Sequence, residues 1–174
     1  HTGVESFADA GPEFSRDNYQ EGWTTILRKN LRNHLYGVEK LCFVSEIRAA
    51  PDVVWKNLWD QETYKKWAGV FTPGSYYSGS MKKGGRIHFL APDGNGMYSD
   101  VIECDTHERM VFSHLGWISN YKEVPVDEET ERWTGNIESY QLIPHRTGTV
   151  VRVEVEAVKE HQDFFNGSLP KALD

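Results

Sequence analysis

The sequence predicts an α+β domain: a curved antiparallel sheet of six to seven strands wrapped on a long helix, with two short helices after strand one. Three observations carry this. A branched and aromatic run at 41–48 is followed first by two short helical patterns. Six turn-bounded segments then follow, at 74–81, 85–90, 97–104, 109–115, 134–143 and 149–158. The last segment alternates cleanly, with Val151, Val153, Val155 and Ala157 on one face and Arg152, Glu154 and Glu156 on the other. That is the pattern of an antiparallel strand with one dry and one wet face.

Residues 1–14 carry little pattern. Ser15 reads as an N-cap for a helix over 16–36, in which Trp23, Ile26, Leu27, Leu31 and Leu35 form one apolar stripe. Arg28, Lys29 and Arg32 crowd its C-terminal half, where the helix dipole favours cations, and Gly37 is a good stop. In strand one, Leu41, Phe43 and Ile47 share a face. Pro51 opens the first short helix, bearing Val54, Trp55, Leu58 and Trp59. Asp60 caps the second, which ends near Trp67. The turns between strands include 83–85, 92–96 and 146–148. Segment 118–133, ending in the acidic run 127–131, reads as a mobile loop. A last helix begins at Asp163 with Phe164, Phe165, Leu169 and Leu173 apolar, and Pro170 is expected to interrupt it.

The chain has 19 Lys and Arg against 26 Asp and Glu, a formal charge of −7. That balance argues against nucleic acid or an anionic membrane surface as the main partner. No apolar run reaches the ~18 residues of a spanning helix, and the polar opening residues show no signal-peptide pattern. Opening on His1 rather than methionine predicts a processed or cut chain. Cys42 and Cys104 are expected to be buried free thiols, which fits a reducing, cytoplasmic setting.

Several runs resemble a known family. Residues 47–55 (Ile-Arg-Ala-Ala-Pro-Asp-Val-Val-Trp) and then Tyr64-Lys65-Lys66-Trp67 look like the start of a START-like, or helix-grip, domain of the SRPBCC superfamily. The Lys83-Gly84-Gly85-Arg86-Ile87 turn, residues 105–112 and Gly148-Thr149-Val150-Val151 resemble its subfamily homologous to the activator of the 90-kDa heat-shock protein ATPase. This resemblance covers 38–174 in order. Residues 2–7 and 20–27 resemble the last strand edge and closing helix of the same subfamily, displaced to the N-terminus. Segment 1–37 is therefore expected to be the tail of a preceding unit, or a helical extension that only resembles one. Segment 38–174 is expected to be a START-like domain with a short C-terminal helix. The stripe on the 15–36 helix is expected to be buried on a helix-grip sheet, of this chain or of another subunit, which admits a homo-oligomer.

No catalytic or metal signature is visible. The seven histidines show neither His-x-His nor His-Glu-x-x-His spacing. There is no Gly-x-Ser-x-Gly elbow, phosphate loop or dinucleotide fingerprint, so no cofactor is expected. Glu154 and Glu156 read as a solvated stripe. Strand parity, with the inward positions the resemblance implies, assigns Trp67, Phe71, Phe89, Phe112, Tyr140, Leu142 and Val153 to the space between sheet and helix. His114 shares parity with Met110 and Phe112, and Trp117 follows; these two complete the candidate set. The expected function is a non-catalytic module binding a small hydrophobic molecule, as the resemblance also implies. Two alternatives are a co-chaperone-like module acting on a heat-shock ATPase and a polyketide-cyclase-like enzyme. The enzyme would draw on His114, Ser139 and Tyr140.

Overall fold

The computed structural model describes residues 16–174 and divides the chain into two compact units, His1–Val38 and Glu39–Asp174. The Thr2–Phe7 motif, the Ser15 cap and the Ile26 side chain lie outside the described residues.

In the first unit, helix α1 spans Arg16–Leu35. Its end is a complete Schellman motif. Val38 N–H donates to Asn33 O at 2.8 Å and Gly37 N–H to His34 O at 3.5 Å, with Gly37 at φ 57°. Trp23, Leu27, Leu31 and Leu35 are exposed.

The second unit is an antiparallel sheet with helices against it. The strands are β1 (Glu39–Ile47), β2 (Tyr76–Gly79), β3 (Arg86–Leu90), β4 (Gly96–Asp105), β5 (Arg109–Ser119), β6 (Lys122–Glu123), β7 (Ile137–His145) and β8 (Gly148–Ala157). Their order is β1-β8-β7-β5-β4-β3-β2, with β6 added to β5. The helices are α2 (Pro51–Trp59), α3 (Gln61–Ala68), the single turn α4 (Glu128–Glu131) and α5 (Lys159–Leu173). Helix α5 packs on β1 and β8, α2 on β7 and β8, and α3 on β2. This is the helix-grip α+β arrangement.

The sequence explains these joints. Pro51 occupies the first turn of α2, where its missing N–H costs nothing. Asp60 ends α2 and caps α3, its carboxylate accepting from Glu62 N–H at 3.0 Å. Gly148, at φ 155°, starts β8 so close to β1 that a Cβ there would stand 2.0 Å from Ile47 O. The inner residues of β8, Val151, Val153 and Val155, are fully buried with Phe112, Ile87 and Val101.

Four expectations need correction. Segment 118–133 is not a featureless loop. Strand β5 runs on to Ser119, β6 pairs back onto it, and Asp127 caps α4, whose Thr130 and the following Trp133 are buried. A buried Trp and a satisfied cap outweigh the acidic composition. Helix α5 starts four residues before the expected Asp163 and runs through Pro170. Only three residues follow Pro170 in the helix, so it sits in the last turn and forfeits a single backbone bond. Cys42 is exposed and Cys104 half-buried, both as free thiols. Cys42 lies between the half-buried Leu41 and Phe43, and the period of two turns it outward. Glu154 and Glu156 are half-buried rather than solvated: Glu154 pairs with Lys40 at 3.3 Å, and the Glu156 carboxylate accepts from Ile137 N–H at 3.1 Å.

Candidate functional site

Between the sheet's inner face and helices α2, α3 and α5 lies a cavity of about 630 Å³. Its floor comes from β3, β5 and β7, and aromatic side chains dominate its wall. The period of two brings Phe89 of β3, Phe112 and His114 of β5, and Glu138 and Tyr140 of β7 to one face. Trp59 stands edge-on to Tyr140 and Phe112, with centroids 5.0 and 5.6 Å away. Phe89 meets Phe112 at 5.3 Å, and Trp117 meets Trp133 at 4.8 Å. Edge-to-face packing of this kind fixes rings in place as well as burying area.

Hydrogen bonds hold the lining aromatics and the Tyr77 ring that packs on Tyr64. Trp67 Nε1–H donates to Leu58 O at 3.0 Å, and the Tyr77 hydroxyl donates to Trp59 O. Burial, with the charge of Glu138 adding to it, pushes the Tyr64 hydroxyl far above the ordinary phenol range. Tyr64 therefore stays neutral within this wall.

Besides polar lining residues such as Asp93, Asn95, Asn136 and His161, a hydrogen-bonded polar chain is set into the wall. Ser99 Oγ lies 2.8 Å from His114 Nδ1, and His114 Nε2 lies 3.1 Å from Glu138 Oε2. The Tyr140 hydroxyl donates to Glu138 Oε1 at 2.5 Å. The backbone prepares this chain. Ser99 pairs with His114 immediately after a bulge in the β4–β5 ladder, and Glu138 pairs with Phe112 across β5–β7. The backbone of His114 is pinned as well: its N–H donates to Asn136 O at 2.9 Å and its C=O accepts from Gly135 N–H at 2.6 Å. Burial alone would raise the Glu138 carboxyl. The hydrogen bond and charge of His114 and the hydrogen bond from Tyr140 outweigh it and hold Glu138 below its ordinary value. Burial and the neighbouring Glu138 charge push Tyr140 well above the phenol range. The patch is thus a carboxylate with two donors on it and an accepting lone pair left on each oxygen.

Of the residues assigned from the sequence, Trp67, Phe71, Phe89, Phe112, His114, Trp117 and Tyr140 line this cavity. Leu142 and Val153 are not among its lining residues; both are buried in the core cluster formed with Phe112 and Tyr140. Ser139, a candidate for the enzyme reading, faces away. It borders a separate cleft of about 130 Å³ with Lys40, Ile137, Glu154 and Glu156. Glu138 was missed, although the parity that turns Tyr140 inward turns Glu138 inward too. Ser99 and Trp133 were also missed. Ser99 reaches His114 only through the bulged register, and Trp133 sits in what reads as loop.

Among the described residues, no group of three His, Cys, Asp or Glu side chains could hold a metal ion, and no helix is long and apolar enough to cross a membrane.

The sequence profile of the family described as "Activator of Hsp90 ATPase homolog 1-like protein" matches residues 48–168. The chain belongs to this family. Its matched segment spans α2 through most of α5 and includes every cavity residue named above. No curated protein is detectably similar in sequence. Several solved structures are similar in shape. Protein MLL2253 from Mesorhizobium loti aligns with a TM-score of 0.58 at 14% identity, over 77% of this chain and 90% of its own. The Aha1 protein of Colwellia psychrerythraea, solved as a dimer, aligns at 0.55 and 23%, over 76% and 87%. CalU16 from Micromonospora echinospora aligns at 0.51 and 16%, over 79% and 77%. At these identities the likeness establishes the shared fold and nothing finer.

Proposed function

We propose that this protein is a binding module whose cavity receives a small, largely apolar molecule. The observation that carries the reading is a cavity of about 630 Å³ with a largely aromatic wall into which a hydrogen-bonded chain, His114–Glu138–Tyr140 backed by Ser99, is set. A size of ~300–1,000 Å³ and an apolar wall with few oriented polar groups are what small-molecule sites have in common. Neither ring nitrogen of His114 is left over for a substrate, which favours recognition over proton transfer.

The cyclase-like reading has one observation in its favour, the placement of His114 and Glu138 together on the cavity wall. The family description suggests action on a heat-shock ATPase, but that reading makes no use of the cavity.

The test is native mass spectrometry of protein purified from its own host, paired with thermal unfolding in the presence of the neutral dye Nile red. The binding reading expects a co-purifying small molecule or saturable dye binding. A ligand at a hundredfold excess over its dissociation constant should stabilise the fold by about 2.7 kcal/mol. No bound mass, no dye binding and an unchanged melting temperature would contradict it.

A further inference from the structure

We infer that the molecule held in this cavity carries a hydrogen-bond-donating cationic head, a protonated amine on an aromatic or apolar body, received by Glu138. The inference rests on the binding reading above and names the ligand class.

Three observations carry it. The first is the charge of the wall. Among the described residues that line the cavity, the acids whose side chains are not turned to the far face are Asp93 and Glu138, the histidines are His114 and His161, and there is no lysine or arginine. A carboxylate or phosphate head would be desolvated among acids with no cation placed to compensate it.

The second is the accounting at Glu138. Its side chain is 17% exposed and lines the cavity, with one oxygen taken by His114 and the other by Tyr140. Each oxygen keeps an accepting lone pair, so a donor can join without displacing a protein partner. A ligand acceptor gains nothing there, because both donors in the patch already serve the carboxylate.

The third is the setting of that carboxylate. Phe112 pairs with Glu138 across the ladder, Tyr140 reaches it through its hydroxyl, and Trp59 packs edge-on to both rings. An ammonium seated at this carboxylate gains from the charge and from any ring face it meets in an aromatic wall. A neutral alcohol would make the same hydrogen bond without either gain.

The experiment uses three probes with one bicyclic ring and different heads: naphthylethylamine, naphthylethanol and naphthylacetate. Each is titrated calorimetrically into the full chain near neutral pH. The amine should bind about tenfold tighter than the alcohol or better, since only the ammonium adds an opposite charge to the bond with the carboxylate, and the acetate weakest. Glu138→Gln should bring the amine down to the level of the alcohol. Tyr140→Phe, which keeps the carboxylate, should keep the preference for amine. The ranking in the unaltered protein decides the matter even if Glu138→Gln folds poorly. Acetate binding as tightly as the amine, or an amine preference that survives Glu138→Gln, overturns this inference and leaves the binding reading standing. No heat from any of the three overturns both.

Discussion

His114 Nε2 lies 3.1 Å from Glu138 Oε2, inside a wall where the histidine side chain is 6% exposed and the carboxylate 17%. A buried carboxylate with this partner and the Tyr140 hydroxyl is an acid-sensitive element of the fold. Its folded pKa lies below the ordinary value of 4.5, so its stabilising contribution is complete above the usual carboxylate range. It is lost as pH falls through the folded value. Urea unfolding across acid pH should therefore show a steeper loss of stability in the parent than in Glu138→Gln. Parallel acid limbs in the two proteins would contradict this.

Tyr140→Phe removes the second donor from Glu138 while keeping the ring against Trp59. A hydrogen bond to a charged group contributes about 1.5–3 kcal/mol, so the midpoint of urea unfolding should fall by that equivalent with its slope unchanged.

Leu169 is 1% exposed and belongs to the core cluster with Trp59, Phe112 and Val153. It stands immediately before Pro170, so its burial depends on α5 continuing through the proline. Leu169→Ala should cost about 2–5 kcal/mol in equilibrium unfolding. A change within a few tenths of a kcal/mol would mean the helix ends before this residue.

The thiols differ in access and in chemistry. Cys42 is exposed, whereas burial, with Asp105 beside it, pushes the Cys104 thiol up. Iodoacetamide on the folded protein should label Cys42 first, as read by peptide mass, with Cys104 catching up only in denaturant.

Much of the second unit is written locally in the sequence. The alternation of β8, the Pro51 and Asp60 signals and the glycine turns are short-range features, and each holds in the structure. The site is legible only in part. Phe89, Phe112 and Tyr140 follow from parity, but the Ser99–His114 contact depends on a bulge that no periodicity announces. Trp133 is buried through its contact with Trp117, sixteen residues earlier, beyond the reach of any local pattern. Pro170 misleads because the rule against proline inside helices weakens in a last turn held down by Leu169. Cys42 shows the opposite case: residue type argues for burial, while strand parity points outward.

The most direct test of the central claim uses the six tryptophans as reporters. Trp59, Trp67, Trp117 and Trp133 line the cavity. Naphthylethanol, neutral and apolar, is titrated while the indole region of a proton–nitrogen correlation spectrum is followed. The account predicts that the four cavity indoles shift and saturate together. Four unmoved cavity indoles would contradict it.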